Sequence, residues 1–149
     1  MDKTYYSYDE CINDCKVLIP QIKLYNPDAI VSIARGGLTL GHLLAEGLNK
    51  REVFSINSIH YQDDKKLDTF EIFNIPDISK FKKIILVDDI VDSGETMVEV
   101  IKVLSQKYPK CEFKIATIFY KLDAIIEPHF KVREAKEWIE FFWEVDLKK

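Results

Sequence analysis

The sequence predicts an α/β protein, with a single domain built on a mostly parallel, twisted sheet flanked by helices and a small C-terminal hood. Short runs of β-branched and apolar residues, such as those at 29–34 and 82–87, alternate with stretches of helical apolar spacing. That alternation implies right-handed crossovers and parallel strands. The chain has 149 residues, of which 47% are hydrophobic and 31% charged, so it suits one domain with a substantial core.

Each element follows from its own residue pattern. Helices are predicted at residues 8–25, 38–48 and 95–108, and strands at residues 29–34, 52–59, 69–75, 82–87 and 111–120. Pro20 predicts a kink or interruption in the first helix. The polar stretch at 60–68 is a loop or a solvated hairpin tip. Ligands bind beyond the carboxyl ends of strands in such sheets, so the loops after Ala34 and Val87 are the candidate binding loops.

Charge and composition limit the partners. A net charge of -4 gives no general attraction to nucleic acid or to an anionic membrane. No apolar run approaches the ~20 residues that span a bilayer, and the first residues lack the apolar stretch of a signal peptide. The 3 cysteines are an odd number and widely split, as expected for reduced thiols. We therefore expect a cytoplasmic protein with neither nucleic acid nor membrane as a partner.

The strongest motif is IILVDDIVDSGETM at residues 84–97. A buried strand leads into a turn whose small residues Ser93, Gly94 and Thr96 allow backbone N–H groups to approach a tetrahedral anion. The following helix directs its N-terminal amides and positive dipole end at the same point. The plainer alternative is an ordinary helix N-cap at residues 92–94. The motif lacks the lysine of a Walker loop and the glycine spacing of a dinucleotide fold.

Three carboxylates accompany this turn. Asp88 and Asp89 directly follow a buried strand, where charge is costly without a partner. Adjacent carboxylates suit paired ribose hydroxyls or a hydrated Mg²⁺. Asp92 lies between that pair and the turn, where it can act as an acid or a base. These carboxylates favour a binding site over a simple cap.

The segment VDDIVDSGETM resembles the phosphoribosyl diphosphate signature of the type I phosphoribosyltransferases. The resemblance covers roughly residues 29–144 and implies the fold of that family. It implies that Asp88 and Asp89 hold the ribose hydroxyls and, directly or through water, Mg²⁺. It also implies a 5-phosphate site formed by Asp92, Ser93, Gly94, Glu95 and Thr96.

A second motif supports the resemblance. Residues 32–37 read SIARGG, in which Arg35 supplies a fixed positive charge while Gly36 and Gly37 let the backbone approach an anion. In the family this loop binds pyrophosphate and often contains a cis peptide, which the resemblance places between Ala34 and Arg35. Residues 60–68 occupy the position of the family's mobile loop.

The hood, residues 121–149, resembles that of the bacterial xanthine-guanine and hypoxanthine phosphoribosyltransferases. There a lysine precedes a W-I-E-x-x-W-[DE] stretch, which this chain matches. The resemblance implies that Lys121 donates to the exocyclic oxygen of a purine, that Trp138 stacks on the ring, and that the backbone at Ile139 contacts its C2 edge. Glu144 is where a carboxylate orients the hood in relatives. Trp143 is predicted to be mainly a core or interface anchor.

The resulting hypothesis is a purine salvage enzyme that joins a 6-oxopurine to phosphoribosyl diphosphate, with Mg²⁺ as cofactor and Asp92 exchanging a proton at purine N7. We expect a homodimer or homotetramer. A first alternative is a transferase for another base, such as orotate, uracil or adenine. A second is a regulator with this fold that binds nucleotides and nucleic acid, and a third, poorly matched, is a receiver-like phosphoacceptor using Asp88 and Asp89.

Overall fold

The computed structural model describes residues 2–62 and 68–148. The elements in chain order are β1 (Lys3–Tyr6), α1 (Tyr8–Tyr25), β2 (Ala29–Ala34), α2 (Leu38–Leu48), β3 (Val53–Gln62), β4 (Asp68–Phe73), β5 (Lys83–Val87), β6 (Ile90–Val91), α3 (Glu95–Lys107), β7 (Glu112–Ala116), β8 (Phe119–Tyr120), β9 (Arg133–Glu134) and β10 (Trp138–Phe141). Among the described residues, no helix combines the length and the apolarity needed to cross a bilayer.

The central sheet has five strands in the order β4-β3-β2-β5-β7. All neighbouring pairs are parallel except β3 and β4, which form an antiparallel hairpin at one edge. This confirms the predicted α/β class with a mostly parallel sheet. The carboxyl ends of β2 and β5 lie side by side, since Ser32 pairs with Val87. The two candidate binding loops therefore start from adjacent strands.

The central strands of the sheet are buried on both faces, because an apolar layer covers each face. Along β2, Ile30 packs into the layer formed with α1 and α2, whereas Val31 packs into the layer formed with α3. Leu44 of α2 is buried in the first of these layers and Val100 of α3 in the second. The period of 2 along a strand explains why successive residues serve opposite faces.

The predicted strand at residues 111–120 is wrong in one respect: it is two strands that belong to different sheets. β7 pairs with β5 as far as Val87 and Ala116, where β5 ends. Beyond that point Thr117 donates its N–H to the Phe130 carbonyl, and β8 pairs with β6 instead. The chain pairs with β6 after Ala116 because β5, the partner of β7, ends at Val87.

The hood is built from two small parallel sheets rather than from its own residues alone. One is β6-β8-β9 and the other is β1-β10. Strand β1 was not predicted, and it joins residues 3–6 to residues 138–141 at the far end of the chain. Trp143 packs against the core with its ring stacked on Phe141 at a centroid distance of 4.7 Å, as predicted for an anchor.

Two further predictions need correction. Helix α1 runs uninterrupted through Pro20, because burial of residues such as Leu18 and Ile22 stabilises the helix despite the missing hydrogen bond. The predicted loop at 60–68 is shorter, because antiparallel pairing continues to Gln62 and Asp68. Residues 63–67, the middle of that predicted loop, lie outside the described residues.

Candidate active site

The turn after β6 forms a small cavity with the start of α3. Gly94 has a φ of 90°, a conformation that glycine adopts at little cost. A Cβ atom there would also lie 3.0 Å from the Ile126 side chain. Ser93 accepts a hydrogen bond from the Glu95 N–H at 3.3 Å, which fixes the entry into the helix. The cavity, of about 210 Å³, is lined by Asp88, Asp89, Ile90, Val91, Asp92, Ser93, Gly94, Thr96 and Met97.

The predicted phosphate residues therefore converge on one place, with one difference. Asp92, Ser93, Gly94 and Thr96 all line the cavity. Glu95 begins α3 and is not among the described residues that line it.

The acidic pair is held by the backbone around it. Asp88 accepts a hydrogen bond from the Asp89 N–H at 2.9 Å, and Asp89 accepts one from the Ile90 N–H at 2.7 Å. Burial raises the pKa of Asp88 well above its ordinary value, and the neighbouring Asp89 raises it further. Burial also raises the pKa of Asp89. Among the described residues, no cation forms an ion pair with either carboxylate, so the pair is suited to a ligand that supplies positive charge or hydroxyl donors.

The loop after β2 lies directly against the acidic pair. Its peptide bond between Ala34 and Arg35 is cis, as predicted. A Cβ atom on Gly36 would lie 2.6 Å from Asp89 Oδ2, and one on Gly37 would lie 2.3 Å from the Val87 carbonyl oxygen. These two positions have to be glycine for the loops to approach this closely.

Arg35 and Gly36 line a second cavity of about 670 Å³ beside the acidic pair. Its walls include Asp89 and the chain that follows β10. The lining residues are Arg35, Gly36, Leu38, Thr39, Asp89, Trp143, Glu144, Val145, Asp146 and Lys148. The sequence did not predict Val145, Asp146 or Lys148 as site residues. Nothing in their pattern indicates that this segment folds back onto the Arg35 loop.

A third cavity, of about 580 Å³, lies between the two small sheets. It is lined by Asp89, Ile90, Asp92, Lys121, Lys136, Glu137, Trp138, Ile139, Phe141 and Glu144. All three predicted purine residues are therefore in its wall. Trp138 is 55% exposed, so its ring face is available for stacking. Lys136 and Glu137 were missed, although their position next to Trp138 in the sequence could have indicated them.

Strand pairing brings Asp92 and Lys121 together in this cavity. Val91 pairs with Tyr120, so the residues that follow the two strands emerge side by side. Lys121 Nζ lies 2.7 Å from Asp92 Oδ1, and that hydrogen bond raises the pKa of Lys121. Burial, followed by the charge of Asp89, raises the pKa of Glu144 across the same space.

A metal ion would need more than these side chains. Among the described residues, no group of three or more His, Cys, Asp or Glu side chains is arranged to hold one. The Asp88–Asp89 pair offers hard oxygen donors and excess negative charge. Mg²⁺ is usually bound by one or two carboxylates together with substrate oxygens and water, so the donor set fits Mg²⁺ carried in with a phosphorylated ligand.

A mostly parallel sheet with a glycine turn at a helix start, a paired carboxylate and a separate aromatic cavity is the arrangement expected of a protein that binds a phosphorylated sugar beside a base. Family comparison agrees with this class: the model of the phosphoribosyl transferase domain matches residues 3–149. The chain belongs to the phosphoribosyltransferase family, and the resemblance found in its sequence is confirmed.

Individual relatives place it within that family. The chain is 27% identical over 153 residues to a xanthine-guanine phosphoribosyltransferase from Cereibacter sphaeroides, covering 97% of this chain and 88% of the relative. The structure of a xanthine-guanine-hypoxanthine phosphoribosyltransferase from Helicobacter pylori matches with a TM-score of 0.90 and 41% identity, over 99% of this chain and 97% of that one. A purine phosphoribosyltransferase from Pyrococcus horikoshii matches with a TM-score of 0.85 and 28% identity, over 98% and 97%.

Proposed function

We propose that this phosphoribosyltransferase converts a 6-oxopurine (hypoxanthine, xanthine or guanine) and phosphoribosyl diphosphate to the purine mononucleotide and pyrophosphate, in purine salvage. The observation that carries the proposal is that Asp89 lines all three cavities. A 5-phosphate at the turn, a diphosphate at the Arg35 loop and a base in the third cavity would then meet at the acidic pair. The names of the relatives support the 6-oxopurine class.

The third cavity carries the choice of base. The Lys121 ammonium is a hydrogen-bond donor only, so it favours a 6-oxo group over the 6-amino group of adenine. Trp138 offers a ring face on which a purine can stack, a contact that contributes roughly 1–3 kcal/mol for nucleic acid bases. Ile139 offers its backbone to the C2 edge of the ring. Lys121 thus favours a 6-oxopurine over adenine, and the names of the relatives support a purine over orotate or uracil.

The proposed reaction breaks the bond between C1 of the ribose and the diphosphate oxygen and forms one between C1 and purine N9. Arg35 and the main-chain amides of the two loops stabilise the charge that develops on the departing pyrophosphate. Asp92 exchanges a proton at N7 as N9 attacks, with Lys121 beside it at 2.7 Å. Binding of the base would redirect Lys121 from Asp92 to the purine oxygen.

We propose Mg²⁺ as the cofactor, held by Asp88 and Asp89 directly or through water together with the donor. When bound, Mg²⁺ neutralises charge on the diphosphate and the leaving group. Burial raises the pKa of both carboxylates, and the charge of Asp89 raises that of Asp88 further. A divalent cation would favour their charged forms, which supports this assignment.

The proposal also covers the binding partners of the protein and its cellular compartment. The substrates are small molecules, and we propose a cytoplasmic homodimer or homotetramer that uses neither nucleic acid nor membrane. The free cysteines Cys11, Cys15 and Cys111 support a reducing compartment. The net charge of -4 argues against nucleic acid, and salt-dependent retention of RNA or DNA would contradict that part of the proposal.

The test is a spectrophotometric assay of separate bases with phosphoribosyl diphosphate and Mg²⁺. We expect turnover with at least one of hypoxanthine, xanthine and guanine, and slower turnover with adenine, orotate and uracil. Lys121→Gln should reduce the discrimination against adenine, because glutamine offers an acceptor as well as a donor. Faster turnover of adenine than of any 6-oxopurine by the wild-type enzyme would contradict the proposal.

A further inference from the structure

A buried carboxylate outside the three cavities carries a further inference. Asp14, on α1, is 5% exposed and accepts hydrogen bonds from two other elements. Tyr6 donates its hydroxyl to Asp14 Oδ2 at 2.6 Å. Arg133 donates Nε to Oδ2 at 2.7 Å and Nη2 to Oδ1 at 3.2 Å. Both carboxylate oxygens are therefore satisfied by side chains that come from different small sheets.

Tyr6 connects Asp14 to the wall of the base cavity that carries the stacking ring. It is fully buried in β1 and pairs with Phe141 of β10. Its carbonyl accepts the N–H of Phe142 at 2.9 Å, which extends the pairing by one residue. β10 begins with Trp138 and Ile139, which pair with the first residues of β1, so a displacement of Tyr6 would be transmitted along these two short strands to Trp138 and Ile139.

Arg133 connects Asp14 to the opposite wall. It belongs to β9, pairs with Phe119 of β8, and donates its N–H to the Ile118 carbonyl at 2.9 Å. β8 leads directly into Lys121, whose N–H donates to Val91 of β6 at 3.0 Å. β6 in turn leads into Asp92, so the sheet held by Arg133 carries both polar groups of the base cavity.

We propose that Asp14 is a positioning residue that fixes the distance between the two walls of the base cavity. The inference rests on the proposed function of that cavity as the purine site. Strands of two to four residues are marginal without support from other elements. Among the described residues, Asp14 is a shared hydrogen-bond partner of Tyr6 in one sheet and Arg133 in the other. Arg133 also lies 3.4 Å from Glu10 Oε2 and 5.6 Å from the centre of the Tyr6 ring, so it would keep these weaker contacts if Asp14 were lost. Loss of Asp14 would remove the two shorter, charge-assisted bonds to Arg133 and the bond to Tyr6, and would let the walls move relative to each other.

The first test compares the kinetics of Asp14→Asn with those of the wild type. We expect KM for the purine to rise about tenfold, because small displacements of positioning groups have large effects, while KM for phosphoribosyl diphosphate changes less than about twofold. Tyr6→Phe should shift the purine KM in the same direction by a smaller factor. If Asp14→Asn fails to fold, Tyr6→Phe alone decides the test.

The matched control is Tyr25→Phe. It also removes a tyrosine hydroxyl that is bonded to a carboxylate, in this case Glu112. Glu112 begins β7, at the opposite end of the sheet from the cavities. We expect both KM values to stay as in the wild type. Equal increases in both KM values for Asp14→Asn and Tyr6→Phe, or no increase in either, would overturn the proposal.

A ligand-free measurement separates this proposal from the proposed function. Hydrogen exchange should be faster in Asp14→Asn at the amides of Lys121 and Ala135, which bond to Val91 and Tyr120, than in the wild type. Exchange in the central strands β2 and β5 should stay slow. Unchanged exchange at Lys121 and Ala135 would refute the positioning role, whereas absence of 6-oxopurine turnover in the wild type would refute the proposed function instead.

Discussion

The proposed donor side and the proposed base side of this site are built in different ways. The donor side comprises the turn at residues 88–96 and the loop at residues 35–37, each continuous in sequence and each dependent on main-chain groups and glycine. The base side joins β1, β8, β9 and β10, which are distant in sequence and are held together by side chains such as that of Asp14. The first is encoded locally, whereas the second exists only after the chain has folded.

This difference separates two properties of the enzyme. Main-chain amides bind any tetrahedral anion of the right size, and a side-chain substitution leaves them in place. Trp138 is not among the described residues that line the cavity at the turn, so it can be exchanged without altering that cavity, whereas Lys121 is paired with Asp92 in its wall. We therefore expect substitutions at Trp138 to change base preference while donor binding is retained.

The largest expected effect is at Asp92, where the two sides meet. Asp92→Asn removes the proposed proton acceptor and the partner of Lys121, so we expect kcat at saturating substrates to fall by about 10²–10⁴. Initial rates at saturating base and varied donor measure this. Asp123→Asn is the matched control: Asp92 has the largest effect on the pKa of Lys121, and the charge of Asp123 raises that pKa as well, but among the described residues the ion pair of Lys121 is with Asp92. Near wild-type turnover of Asp92→Asn would reduce its role to positioning.

A smaller loss of activity is expected when Gly37, in the loop on the donor side, is replaced. Gly37→Ala would place a Cβ atom 2.3 Å from the Val87 carbonyl oxygen, a backbone atom that cannot easily move. We expect kcat/KM for phosphoribosyl diphosphate to fall by about 10²-fold, because the loop must shift away from the acidic pair.

Gly47→Ala in α2 is the control for that variant. Its Cβ atom would meet the end of the flexible Ile19 side chain, away from the three cavities. It should lose little activity. Equal losses in the two variants would mean that the close approach of the loops at Gly37 has no special role in donor binding.

The same contrast explains what the sequence could predict. The donor side was predicted residue by residue, because VDDIVDSGETM carries its own strand, turn and helix start. Glu95 was included with its neighbours, although it does not line the cavity among the described residues. Lys121 and Trp138 were found by resemblance to a family, since no local pattern brings them together.

The features that the sequence did not predict all depend on contacts between residues distant in the chain. β1 has mostly exposed residues and becomes a strand only because β10 lies beside it. The change of partner after Ala116 is likewise set by where β5 ends, which no residue in that segment reveals. Asp14 carries no sequence signal either, because its partners Tyr6 and Arg133 lie on different elements.

The smallest expected effect concerns stability where the base side joins the central sheet. His129 accepts the Ile115 N–H at Nδ1 over 2.9 Å, which requires that nitrogen to be unprotonated. Partial burial and the nearby Lys114 lower the pKa of His129, although Glu112 opposes this. The unfolded chain then binds the proton more readily, so this contribution to stability is present above about pH 6.5 and is lost as the pH falls further. The loss should not exceed about 1 kcal/mol, the usual contribution of one hydrogen bond.

His129→Gln tests this expectation, because glutamine can accept the same N–H without titrating. Urea unfolding at several pH values should show the wild type losing more stability than the variant as the pH falls below about 6.5. The activity at neutral pH should be the same in both, since His129 is not among the described residues that line the three cavities. Parallel pH profiles for the two proteins would mean that His129 does not govern how the hood is joined to the sheet. The base side would then depend on the Asp14 contacts and strand pairing without this pH-sensitive bond.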